Sequence, residues 1–109
     1  MITRSLPIEC KNPEEAYHYT VYTDRCPMYD TRNIACKDPE YAYLYARDID
    51  KCPRGDTRKG ACKNPWYTYR YACYIDRCFS ENTYVAASED PDILNEYVDW
   101  LFHNFRFSK

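Results

Sequence analysis

Small and aromatic residues recur along this chain at helical spacing, and the whole pattern returns every 26 residues, as Cys10, Cys36 and Cys62 mark. In the second copy Ala42, Tyr45, Ala46, Ile49 and Cys52 fall at i, i+3, i+4, i+7 and i+10, a narrow apolar stripe along an α-helix. The first copy sets Ala16, Tyr19, Thr20, Thr23 and Cys26 there, and the third sets Thr68, Tyr71, Ala72, Ile75 and Cys78. Small residues alternate with tyrosines, so neighbouring helices approach closely while rings fill the gaps. Opposite the stripe stand His18, Leu44 and Arg70, positions expected to be exposed.

The ends of these helices are written beside the stripe. Asn12, Asp38, Asn64 and Asp90 each precede a proline (Pro13, Pro39, Pro65, Pro91). An Asn or Asp side chain accepts from a free N–H of the first turn, and proline fits the next position because its missing N–H would go unpaired there. At the far end Arg25, Lys51 and Arg77 suit the negative end of the helix, and Pro27 and Pro53 forbid simple continuation. A second start signal follows at Asp30-Thr31, Asp56-Thr57 and Asn82-Thr83, which predicts a short helix of about two turns. Gly60 weakens the middle one.

Three full units result, 10–35, 36–61 and 62–87. Residues 1–9 match the tail of a unit and are expected to cap the first long helix. Residues 88–109 are a fading copy that lacks the short helix and is greasier, with Ile93, Leu94, Val98, Leu101, Phe102 and Phe105. Its Trp100, Phe102, Phe105 and Phe107 suit a cap that closes the stack, or equally half of a homodimer contact through this C-terminal helix. The expected fold is a single all-α domain, 1–109: a short, right-handed α-solenoid of four long and three short helices with terminal caps.

Asp38, Pro39, Tyr41, Ala42, Tyr43, Tyr45, Ala46 and Arg47 resemble short tandem repeats of the DPxYAYxYAR type, found in hypothetical proteins of bacteria and phages. The resemblance covers Cys10 to Ala87 well and the last copy weakly. It implies a helical array and a prokaryotic or phage origin, and carries no shared activity. Where such arrays place small or apolar residues, this chain places Cys.

Charge is nearly balanced, 15 basic against 17 acidic side chains, so no net field draws in nucleic acid or an anionic membrane. No apolar run approaches the roughly 20 residues of a membrane span, and the opening MITRSLPIEC lacks the apolar stretch of a secretory signal. A cytoplasmic protein is expected. Equivalent cysteines of successive units should lie about 8–10 Å apart, beyond the roughly 7 Å that a disulfide tolerates. Cys26 and Cys36 could pair only if the short helix folds back tightly. There is no C-x-x-C, and His18 and His103 have no ligand spacing to any Cys, so no metal or cofactor is expected. Small thiols buried between helices are the favoured reading, ahead of disulfides and a metal.

Thirteen tyrosines are more than a packed core needs. Tyr17, Tyr43 and Tyr69 form a ladder on one flank of the stripe; Tyr41 and Tyr67 lie on the other, near Tyr22, Tyr74 and Trp100. Rings of this kind fill seams between helices, or form an open surface, since Tyr and Trp are favoured in interface cores. Lys11, Lys37 and Lys63 recur at helix entrances, and Asp24, Asp50 and Asp76 recur beside Arg25, Lys51 and Arg77, which reads as a solvated, self-neutralising edge. Ser88, Cys73 and His103 have no base and orienting acid at a recognisable spacing. A non-catalytic protein-binding module is therefore expected, an adaptor or inhibitor that meets a host protein if the phage likeness holds. Its binding residues would be Tyr17, Tyr22, Tyr41, Tyr43, Tyr67, Tyr69, Tyr74 and Trp100. The alternatives are single-stranded nucleic-acid binding by stacked tyrosines, and a self-assembling structural subunit.

Overall fold

Every start signal of the long helices is used. The computed structural model describes residues 11–104; the expected N-terminal cap (1–9), Cys10, Phe105 and Phe107 lie outside them. Asn12 Oδ1 accepts from the Glu15 N–H, and Asp38, Asn64 and Asp90 accept likewise from the first turns that follow. The helices are α1 (Pro13–Tyr19), α2 (Tyr29–Ala35), α3 (Pro39–Tyr45), α4 (Gly55–Ala61), α5 (Pro65–Tyr71), α6 (Glu81–Ala87) and α7 (Pro91–Asn104), with no strand among the described residues. Successive long helices α1, α3, α5 and α7 pack on one another, and each short helix sits between its own long helix and the next. The stack measures 54 × 24 × 23 Å. The all-α repeat fold read from the sequence is what the chain forms.

One feature of the long helices was not foreseen. Each of the first three ends in a π turn, Thr20–Asp24, Ala46–Asp50 and Ala72–Asp76. Arg25, Lys51 and Arg77 then take left-handed backbone angles (φ 58°, 58° and 56°). Their N–H groups donate to the carbonyls five residues back, Thr20, Ala46 and Ala72, at 2.7 to 2.8 Å. The wider turn delays the helix face by about one residue. Ile49, the next residue on an α-helical stripe, is only half-buried, whereas the Asp50 side chain is 2 % exposed. The chain then reverses, so Thr23, Cys26, Cys52 and Cys78, assigned to the stripe, are exposed.

The short helices begin one or two residues before their expected starts. Met28, Arg54 and Ser80 hold the cap positions with no side-chain cap of their own. A tyrosine of the following repeat serves instead. Tyr45 Oη accepts from the Met28 N–H at 3.0 Å and lies 2.9 Å from both the Met28 carbonyl and Thr31 Oγ1. Tyr71 does the same at Arg54 and Thr57, and Tyr97 at Ser80 and Thr83. These three rings and their threonines are fully buried. A buried hydroxyl is thereby satisfied while an otherwise open helix entrance gains its hydrogen bonds.

Gly60 has a role beyond weakening α4. A Cβ there would stand 2.7 Å from both Ala42 Cβ and the Cys36 carbonyl oxygen, so glycine lets α4 lie directly on α3.

Candidate protein-binding face

In a repeat protein the positions that recur build the scaffold, and those that depart from the repeat are free to carry function. The tyrosine ladders belong mostly to the first group. Tyr17 meets Tyr41 of the next repeat at 5.8 Å between ring centroids, and Tyr43 meets Tyr67 at 6.2 Å. Opposite flanks of adjacent helices thus close into one seam. Tyr43 is 2 % exposed, and Tyr17, Tyr41, Tyr67, Tyr69 and Trp100 are half-buried. Tyr22 and Tyr74 alone of the expected binding residues stand well exposed. Tyr43 therefore belongs to the core and not to a docking surface.

Burial and local contacts set the chemistry of these seams. Burial, then the hydrogen bond to Asp48 at 2.5 Å, pushes the Tyr17 hydroxyl up to about 12. At Asp48 burial works upward, but hydrogen bonds from Arg47 and Tyr17 outweigh it and hold the carboxyl below its ordinary value. Burial, then the neighbouring Cys73, pushes Tyr69 up to about 12.

Asp50 and Asp76, at two of the three helix exits, are not part of a solvated edge. Asp50 takes a two-pronged grip from Arg32 of the preceding short helix, Nη2 to Oδ1 at 2.7 Å and Nε to Oδ2 at 3.0 Å. Asp76 is held in the same way by Arg58. Arg32 and Arg58 also lie over the Tyr45 and Tyr71 rings, 5.5 and 5.7 Å from their centroids. Both arginines escaped the sequence reading. The signal was there: an arginine recurs in phase at the middle of the first two short helices, eighteen residues before an equally periodic aspartate.

The outer face of α5 is where the repeat is broken. Glu14 and Glu40 give way to Trp66, and His18 and Leu44 to Arg70, while Tyr74 matches Tyr22 of the first repeat and differs only from Asp48 of the second. Trp66 is 44 % and Tyr74 58 % exposed. The Arg70 guanidinium lies 5.4 Å from the Trp66 ring centroid, 5.5 Å from that of Tyr74 and 5.4 Å from that of Tyr43. Arg70, expected to be exposed, is half-buried because these three rings surround it. Leu44 is half-buried too, against the Tyr43 and Tyr71 core. His18 is exposed as expected and stacks on Tyr22 at 6.1 Å.

Nucleophiles are dispersed and quiet. The six described cysteines are free. Cys26, Cys52 and Cys78 are exposed, against the expectation of thiols packed between helices, while Cys36, Cys62 and Cys73 are half-buried. Burial, then the Asp56 charge, pushes Cys36 up to about 12, and burial pushes Cys73 up to about 11. Such thiols stay protonated at neutral pH and are poor nucleophiles. Ser88 Oγ donates to the Val85 carbonyl of its own helix, and His103 contacts Asp99 one turn back. Among the described residues no three His, Cys, Asp or Glu side chains could share a metal ion, and no helix is long and apolar enough to cross a membrane. Comparison with protein-family models, curated proteins and solved structures finds no match.

Proposed function

We propose that this chain is a non-catalytic protein-binding repeat module, an adaptor or small inhibitor whose partner docks on the outer face of the long helices at Trp66, Arg70 and Tyr74. One observation carries the reading: on the third long helix Trp66 and Arg70 replace the residues of the first two and, with Tyr74, make an exposed Trp and Tyr around a stacked Arg. Those three residue types dominate the energetic centres of protein interfaces. The rings hold the guanidinium in place, so little side-chain freedom is lost on docking.

Single-stranded nucleic acid is less well served. Phosphate tracking needs uncompensated positive charge along the path, and Glu14, Glu40 and Asp48 interrupt this face. Self-assembly through α7 has little to use, because its exposed positions are Pro91, Asp92, Asn95, Glu96, Asp99, Phe102, His103 and Asn104. A polar outer face is what a terminal cap requires.

The test is affinity capture from the native cell with the wild-type chain, repeated with Trp66→Ala/Tyr74→Ala. Capture should be lost while the melting temperature stays within a few degrees, since both side chains are on the surface. Full capture by the double variant would overturn the assignment. Tyr43→Ala is the wrong probe, because it empties the core.

A further inference from the structure

Two equivalent grooves open where the long helices end. The first, about 470 Å³, is lined by Val21, Arg25, Cys26, Asp48, Ile49 and Lys51, with Tyr17, Thr20 and Pro27 behind. The second, about 450 Å³, is lined by Arg47, Lys51, Cys52, Pro53, Tyr74, Ile75 and Arg77. One unit further along the chain, Val21 has become Arg47 and Asp48 has become Tyr74. The first groove thus presents two cations and a carboxylate, and the second presents three cations, Arg47 already paired with Asp48, and no carboxylate of its own.

The acids nearest the second groove are already engaged. Asp50 is held by Arg32, Asp76 by Arg58, and Asp48 by Arg47 at 2.7 Å. Lys51 and Arg77 make no ion pair with any described residue, and their backbone N–H groups are spent on the π turns. Tyr74 belongs both to this groove and to the cage around Arg70, so the cationic hollow runs directly into the aromatic face.

We propose that the second groove receives an acidic segment of the partner protein, its carboxylates over Lys51 and Arg77 and an adjoining apolar side chain against Tyr74 and Trp66. This rests on the protein-binding reading above. A peptide fits better than a nucleic-acid strand because the positive charge is confined to one groove, with Asp48 on one side and Glu40 above it on the same helix.

The probe is a fluorescent peptide of about eight residues alternating Glu and Leu, roughly 25 Å when extended, titrated by anisotropy beside its Lys/Leu counterpart and a short oligothymidine. The acidic peptide should bind best, and more weakly as NaCl rises from about 0.05 to about 0.5 M. Arg77→Glu should weaken it about tenfold or more, while Arg25→Glu, the same repeat position but lining the first groove and not the second, should change it less than about twofold. Should Arg77→Glu lose helix content by circular dichroism, Arg77→Gln carries the same test with an expected weakening of about threefold. No binding, equal weakening by Arg25→Glu, or tighter binding of oligothymidine would overturn the proposal. The native partner separates the two levels. A partner lost by Trp66→Ala/Tyr74→Ala yet held by Arg77→Glu overturns the acidic assignment alone, and a partner held by both overturns the docking face as well.

Discussion

The inner seams and the last seam of this stack close in different ways. Between the first three repeats, an Arg of the short helix lies over the next repeat's buried Tyr and grips an Asp that a π turn has swung inward. At the last seam Tyr84 stands where the Arg would be, edge-on to Tyr97 with ring centroids 5.8 Å apart. Phe102 stands in phase with the aspartates, and α7 runs on without a π turn. The same two repeat positions then exchange roles. In the π-ended helices Ile49 and Ile75 are half-buried and the aspartates go inside; in α7, Leu101 is 8 % exposed and Phe102 is 66 % exposed. The type of turn decides which of two adjacent side chains faces the core. At the second and third wide turns the carboxylate that goes inside has a cation waiting for it.

The largest effect should come from breaking the most enclosed pair. Asp50→Ala leaves Arg32 buried without its partner and should cost about 3–5 kcal/mol in urea denaturation. Asp76→Ala should cost less, because Arg58 is a quarter exposed where Arg32 is nearly sealed. Equal, small losses at both sites would mean that the pairs are peripheral to stability. Next comes a transplant. Asp76→Phe alone should destabilise, whereas Arg58→Tyr/Asp76→Phe should recover most of the loss, a coupling of about 0.5–3 kcal/mol in a double-mutant cycle. The double variant should also lose its π turn and bury Ile75, which a crystal structure would show directly.

Smaller effects separate the hydroxyl contacts. Tyr71 Oη sits 3.0 Å from both the Arg54 N and O, while Tyr97 Oη sits 3.4 and 3.5 Å from those of Ser80. Tyr71→Phe should therefore cost about 1–3 kcal/mol and Tyr97→Phe about 1 kcal/mol or less, read as shifts in denaturation midpoint at unchanged slope. The smallest change expected is a gain. Lys51→Gly relieves a left-handed backbone angle and should stabilise by about 0.5–1 kcal/mol, with no equivalent gain at His103, which continues an ordinary helix.

The scaffold was legible because its signals are local and repeated: Asn or Asp before Pro, small residues alternating with Tyr, breakers at fixed phase. What escaped was the geometry that depends on a neighbour. Pattern arithmetic at 3.6 residues per turn placed Ile49 and Cys52 in the core, and a π turn moved them out. Asp50 looked like one half of a surface pair with Lys51 because nothing local names Arg32 as its true partner. The simultaneous loss of both charges at the last seam, to Tyr84 of the third unit and Phe102 of the last copy, is the trace of that pairing within the sequence itself. The proposed docking face was half-read. Tyr22 and Tyr74, expected among the binding residues, stand exposed, whereas Arg70 was expected only to be exposed and Trp66 was not singled out, because neither belongs to what the units share.

The hydroxyl that α3, α5 and α7 each lend backwards also sets an order of events at the ribosome. The entrance of α2 is finished only when Tyr45 has emerged, that of α4 only with Tyr71, and that of α6 only with Tyr97. A nascent chain is always one unit short of a closed layer, and the final segment, though the most divergent, is what lets the last of them lock.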